Sequence, residues 1–271
     1  MMRARPALFR QPYDGTNETM QRSSTADATG SARHDPDRAP ITLVSTCTID
    51  HLPLADGRVL DIPGGPAMYI AGAFRRLGRP FALITGDRAD VQVIPGDGGQ
   101  EYLIPSLPSI VLPPRLTGPA TIISPIIGEV PADAVPPVDG LLVIDLQGFV
   151  REPGVPTGQR SRAFDLSALL RRTHVVKASA AELERLTPRS AAALASVLLL
   201  DTHGADGIVL HERGTRYHIP APPVRATHTI GAGDTLLAGF VDALLNGLMP
   251  ATAARQAVDF TEAVLRERPP S

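Results

Sequence analysis

The sequence predicts an α/β fold, a mostly parallel sheet with helices on both faces. Three observations carry this. Leu141-Leu-Val-Ile144 is a continuous apolar run, as expected of a strand buried on both faces of a parallel sheet. Other short apolar runs alternate along the chain with segments of helical period. Proline (27) and glycine (24) together make up nearly a fifth of the 271 residues, so the elements are short and separated by many turns.

Residues 1–40 are rich in Arg, Ser, Thr, Asp, Gly and Pro and carry no apolar period. They cannot bury enough surface to offset their ordering, and they read as a disordered tail ahead of one domain at 41–271. They lack the apolar core of a secretory signal, and Asp14, Glu18, Asp27, Asp35 and Asp37 argue against a mitochondrial-type presequence. Ile41–Val44 reads as the first strand and Val59–Ile62 as another. Ala67, Ile70, Ala71, Phe74 and Leu77 fall at helical spacing, with Pro66 at the start and Gly78 just past the end. Phe81–Ile84 is a strand. Between 91 and 123 the β-type runs Val91–Ile94, Glu101–Ile104, Ser109–Leu112 and Thr121–Ile123 follow without a helix. After Leu141–Ile144, strands are expected at His174–Val176, Leu198–Leu200 and Ile208–Leu210. Helices are expected near 164–172, 179–186, 231–246 and 250–266.

Composition narrows the function. Apolar residues at 43% suffice for a core, and no apolar stretch is long enough to cross a membrane. A net charge of −2 gives no bulk attraction to nucleic acid or an anionic membrane. The single Cys47 excludes a disulfide framework and a cysteine zinc site, and fits a reducing cytoplasmic setting and the role of a small buried hydrophobe. The seven histidines are scattered, with no metal-ligand spacing. There is no Gly-x-Ser-x-Gly elbow and no Walker A loop.

The most informative stretch starts at Thr229-Ile-Gly-Ala-Gly-Asp234. Gly231 and Gly233 open an amphipathic helix whose stripe is Leu236, Leu237, Phe240, Val241, Leu244 and Leu245, with Gly247 past its end. Unpaired amides at Gly231, Ala232 and Gly233, together with the helix dipole, make an anion site suited to a phosphate. Asp234 beside it has two readings, a general base that takes the proton of an acceptor hydroxyl or a first-turn charge favoured by the dipole, and spacing alone leaves both open. Asp145-Leu-Gln-Gly-Phe-Val-Arg151 follows a buried strand, at the edge where open α/β sheets bind ligands. Arg151 there either pairs with a phosphate or polyol or is a surface loop arginine. Lys177, the only lysine, either approaches a phosphate or sits on the surface.

Gly231-Ala-Gly-Asp234 with Ala238-Gly239-Phe240 resembles the C-terminal signature of the ribokinase-like (phosphofructokinase-B type) carbohydrate kinase family. Gly64-Gly65-Pro66-Ala67, entering a helix that ends in Arg76-Leu77-Gly78, is similar to that family's first signature. Thr48-Ile49-Asp50 matches its early substrate-binding aspartate, Ser179-Ala-Ala-Glu182 its Asn-x-x-Glu element, and Thr202-His-Gly204 its nucleotide-contacting Thr-x-Gly. The landmarks run in family order over about residues 41–266. Asp145 to Arg151, with Pro125-Ile-Ile-Gly-Glu129 before it, is similar to the short inositol-kinase-like branch.

The resemblance implies a ribokinase-like three-layer sandwich with a small β lid, part of it within 91–123. It implies transfer of the γ-phosphoryl group of ATP to a hydroxyl of a sugar or cyclitol, with Mg²⁺. Asp234 would be the base and Gly231, Ala232 and Gly233 the anion hole. Asp50, Gly64, Gly65, Tyr69 and Arg151 would meet the substrate. Thr202, Gly204, Lys177 and Ser179 would face the nucleotide, and Glu182 would organise Mg²⁺. Three positions depart from the family pattern: Tyr69 and Ser179 each replace an asparagine, and His228 replaces an aspartate that helps hold a monovalent cation. The alternatives are a nucleoside kinase with Tyr69 stacked on the base, and a catalytically weak ligand-binding homologue. Lids of this fold often form dimer contacts, so a homodimer is among the expectations.

Overall fold

A computed structural model of the protein describes residues 39–267, apart from 55, 97–98, 158, 160–161 and 225–228. The expected tail therefore lies outside the described residues except for Ala39 and Pro40, and so does His228. Twelve strands and six α-helices are described: β1 (Ile41–Ser45), β2 (Thr48–Pro53), β3 (Val59–Gly64), α1 (Pro66–Arg76), β4 (Phe81–Ile84), β5 (Ala89–Gly96), β6 (Gly99–Leu103), β7 (Ala120–Ser124), β8 (Leu141–Asp145), α2 (Ser167–Leu170), β9 (Val175–Ser179), α3 (Ala180–Leu183), α4 (Pro188–Ala193), β10 (Leu198–Thr202), β11 (Ile208–Glu212), β12 (Thr215–Ile219), α5 (Ala232–Leu245) and α6 (Pro250–Arg266).

The large sheet has the order β12-β11-β10-β9-β8-β7-β1-β4. β4, β1, β7, β8, β9 and β10 pair in parallel, and β11 and β12 add an antiparallel edge. Alternate residues feed two cores. Ile41, Leu43, Ile122, Leu141, Val143 and Val175 face α1, α5 and α6. Val44, Ile123, Leu142, Ile144 and Val176 face α2, α4 and the loops around them. That is the two-faced burial that makes these strands read as unbroken apolar runs. α5 packs closely on α6 because Gly239 lets Ala257 and Phe260 approach its backbone.

A smaller sheet, order β3-β2-β5-β6, stands beside the large one. β5 and β6 fall within the stretch expected to supply it, but β2 and β3 complete it from an earlier part of the chain. β7 belongs to the large sheet, and Ser109–Leu112 forms no strand. Pro105, Pro108, Pro113 and Pro114 remove ladder donors there, and Ile110 donates one backbone bond to Glu129. The sequence analysis also missed β2, β12 and α4. β2 alternates polar residues toward a ligand cavity and not toward a core, β12 is an edge strand, and α4 is built on alanines. α2 and α3 are single turns, shorter than expected. Among the described residues no helix is long and apolar enough to cross a membrane.

Candidate active site

The parallel strands end at a cleft of about 210 Å³, lined from below by Gln147, Arg151, Lys177 and Thr229–Asp234, and from the smaller sheet by Thr48, Asp50, Val91 and Tyr102. Gly65, Pro66 and Tyr69 at the start of α1 close one side.

α5 supplies the anion turn. Gly231 caps it with φ +75°, the left-handed region that favours glycine. Apart from Asp234 itself, the first turn carries no acidic residue. The Asp234 residue is half-buried, yet its Oδ1 is fully covered and without a hydrogen-bond partner among the described residues. Burial pushes its pKa up; the Lys177 and Arg151 charges pull it down and those of Asp145 and Glu182 push it up, leaving it at about 6. The amide expected to be unpaired at Ala232 instead donates to Thr229 O at 3.0 Å, closing the turn ahead of the helix. An orphaned carboxylate oxygen with a raised proton affinity at a helix N-terminus still favours the general-base reading over the first-turn charge.

Lys177 is not a surface lysine. It sits near the end of β9 with an almost wholly buried side chain, and its Nζ donates at 3.0 Å to both carboxylate oxygens of the buried Asp145 at the end of β8. Ser124 Oγ donates to Asp145 Oδ2 at 2.9 Å. Burial disfavours the ammonium, but the charges of Asp145, Asp234 and Glu182 outweigh it and its pKa is raised overall. A β-carbon on Gly233 would stand 3.3 Å from that Nζ, so the second glycine of the turn leaves room for the lysine. Asp145 is thus the residue that holds Lys177 in the cleft.

Across the cleft, Asp50 is buried on β2 and Thr48 Oγ1 donates to it at 2.6 Å. Burial raises its pKa, against the pull of Thr48 and His51. A β-carbon on Gly64 would fall 2.3 Å from Asp50 Oδ2, and one on Gly65, where φ is +85°, would fall 2.6 Å from the Thr46 carbonyl. The lack of a β-carbon at these two positions therefore leaves room for the carboxylate and the chain turn, and of the two only Gly65 lines the cleft. Tyr69 reaches the cleft and its ring packs against Gly231. Tyr102, which the sequence analysis missed, comes in from β6. Burial raises its pKa, with Asp50 and Asp234 acting in the same sense and Arg151 against them. Only its place in a β-type run was visible from the sequence.

The residues expected on the nucleotide side are more scattered. Ser179 and Glu182 form a capping box on α3: Ser179 N donates to Glu182 Oε2 at 2.8 Å and Glu182 N to Ser179 Oγ at 3.4 Å. Glu182 Oε1 lies 3.9 Å from Arg151 Nη2. Thr202 Oγ1 donates to the Ala178 carbonyl, Gly204 is exposed in the turn after β10, and neither lines the cleft. Glu129 is a clasp: it accepts from Thr46 Oγ1 and from the amides of Ile126 and Ile127, fixing the turn that brings Ile126 to the cleft. Among the described residues, no three His, Cys, Asp or Glu side chains converge as a metal cage.

The pattern of the pfkB family carbohydrate kinase matches residues 148–269. Residues 148–269 are a pfkB family domain. The pfkB segment runs from the turn after β8 through the anion turn to the end of α6. No curated protein sequence matches the chain. Among solved structures, a pyrophosphate-dependent myo-inositol-1 kinase converted into a myo-inositol-3 kinase is similar at 21% identity with TM-score 0.66, over 85% of this chain and 94% of that one. Fructokinase from Vibrio cholerae O395 is similar at 17% identity and TM-score 0.61, over 83% and 90%. Ribokinase from Arabidopsis thaliana is similar at 17% identity and TM-score 0.62, over 86% and 94%. These likenesses establish the fold, a large mostly parallel sheet with a smaller one, as the ribokinase fold.

Proposed function

We propose that the protein transfers the terminal phosphoryl group of ATP to a hydroxyl of a sugar or cyclitol. The observation that carries this is Asp234, whose buried, unpartnered Oδ1 stands at the N-terminus of α5 in the same cleft as Asp50. Asp50 holds hydroxyls of the acceptor. Asp234 takes the proton of the hydroxyl to be phosphorylated, whose oxygen attacks the terminal phosphorus in line. The bond to the leaving phosphate oxygen breaks as the new P–O bond forms, and ADP departs with the electron pair. The amides of Gly231 and Gly233, with Lys177 and Arg151, stabilise the charge on the transferring group, while Ala232 N, donating to Thr229 O, holds the turn in shape.

Thr202, Gly204 and Ser179 are the proposed nucleotide side. Glu182 is the carboxylate that would meet Mg²⁺: one of its oxygens is committed to the α3 cap, and the other, 3.9 Å from Arg151 Nη2, would accept from metal-bound water beside that guanidinium. With no cage of three ligating side chains among the described residues, Mg²⁺ would be bound together with the donor phosphates, where it would supply charge neutralisation.

A specific feature favours a second donor. The cleft holds two cations next to the anion turn, while Thr202 and Gly204 lie outside its lining, an arrangement that also suits a donor made of phosphates alone. The pyrophosphate dependence of a similar inositol kinase agrees with this reading. Phosphoryl transfer from MgATP and from magnesium pyrophosphate, measured over pentoses, hexoses, inositols and nucleosides with Asp234→Asn beside wild type, tests both donors. A product formed by wild type and lost in the variant supports the reading; equal turnover in the two removes Asp234 from its role. Donor binding without turnover on any acceptor would favour the ligand-binding alternative.

A further inference from the structure

Arg185 follows α3 and has a buried side chain, with no carboxylate paired to it among the described residues. A guanidinium taken out of water needs compensation. Here backbone carbonyls of one loop supply it. Nη1 donates to Val150 O at 2.8 Å, and Nη2 donates to Thr157 O at 2.8 Å and to Gln159 O. These carbonyls bracket Arg151, whose side chain lines the cleft and whose Nη2 faces Glu182 of α3.

The same loop is tied to the smaller sheet. Tyr102 N donates to Thr157 Oγ1 at 3.1 Å, Thr157 N donates back to Tyr102 O at 3.1 Å, and Gly154 N donates to Ile104 O at 2.8 Å. Tyr102 and Ile104 both line the cleft. A continuous path therefore runs from β9, which carries Lys177, through the capped α3 to Arg185, from there to the loop holding Arg151, and from Thr157 to the strand holding Tyr102.

We propose that Arg185 is a positioning residue for phosphoryl transfer: its carbonyl clasp sets Arg151 at the anion turn and, through Thr157, seats Tyr102 over the acceptor end of the cleft. This rests on the phosphotransferase reading above, since it assigns that reaction's cations and acceptor wall. An arginine serves here because one planar fork reaches several carbonyls at once, which a lysine cannot.

The test uses the full chain with Arg185→Met, Arg185→Lys and Thr157→Val, and Arg151→Met as a control. Amide hydrogen exchange at Tyr102 reads the tie to the smaller sheet without any need for turnover. Thr157→Val should speed it ~10-fold or more while the unfolding midpoint stays close to that of wild type. Calorimetric binding of inorganic pyrophosphate reads the placement of Arg151. Arg185→Met should weaken it ~10-fold, much as Arg151→Met does, with Arg185→Lys in between and Thr157→Val near wild type. Where transfer is measured, Thr157→Val should raise the acceptor KM and spare kcat. Exchange at Tyr102 unchanged in Thr157→Val, or pyrophosphate bound by Arg185→Met as by wild type, would overturn the proposal, as would a wild type that binds no pyrophosphate. If Arg185→Met fails to fold, Arg185→Lys and Thr157→Val decide. A wild type that binds pyrophosphate and shows these exchange effects but transfers nothing would fail the phosphotransferase reading alone.

Discussion

The ring of Tyr69 fills the space that a side chain on Gly231 would need: a β-carbon there would stand 2.2 Å from the ring's Cγ. The residue that departs from the family's asparagine is thus packed on the turn proposed to bind the phosphoryl group. Gly231 is also held at φ +75°, where an L-residue is strained.

Gly231→Ala should therefore lose activity through two separable causes. The strained backbone would shift the amides of Ala232 and Gly233, and the new methyl would collide with Tyr69. Tyr69→Ala alone should remain folded, and the double variant should recover stability lost to the collision but not the part due to the backbone. Melting curves of the three variants check this: a double variant no more stable than Gly231→Ala would mean that the ring contact costs nothing.

Much of this site was legible because its chemistry depends on short motifs. Gly231 to Asp234 at a helix start, Gly65 and Asp50 line one cleft, and Gly64 packs against the Asp50 carboxylate outside that lining. The large sheet was legible because strands buried on both faces are written as apolar runs. What stayed hidden depends on contacts across the chain. Lys177 could not be placed in or out of the core until Asp145, 32 residues away, was seen to neutralise it. Tyr102 and Arg185 lie in no motif, and their neighbours come from loops whose approach no local period encodes. β2 escaped notice because its inward residues, Thr48 and Asp50, face a ligand site and break the apolar alternation of a core strand.

Asp234→Asn should lower kcat by ~10²-fold or more while donor binding persists, the usual scale of a lost general base. The wild-type rate should carry an acid limb near the Asp234 pKa of about 6. The sign follows from the mechanism: the base must be ionised, so kcat/KM falls as pH drops through that value and levels off above it. A profile flat from pH 5 to 8 would contradict the assignment.

Chelation separates fold from turnover. With no three metal-ligating side chains converging among the described residues, EDTA should abolish phosphoryl transfer and leave the melting temperature of the ligand-free protein unchanged. A lower melting temperature on chelation would reveal a structural ion that the carboxylates around Glu182 do not account for.

The Asp145–Lys177 pair couples stability to the base. Its carboxylate is fully buried and its ammonium nearly so, so Asp145→Ala would strand a charge and should destabilise the protein by about 3–5 kcal/mol. Asp145→Leu combined with Lys177→Met removes both charges and should recover most of that loss, as measured by denaturant unfolding. Stability restored in this way should not restore function. Lys177 lowers the proton affinity of Asp234 by more than Asp145 raises it. Lys177→Met should therefore shift the acid limb of the rate profile to higher pH, and the double variant should show a smaller shift in the same direction. An acid limb unmoved in Lys177→Met would mean that the lysine holds the donor phosphates without tuning the base.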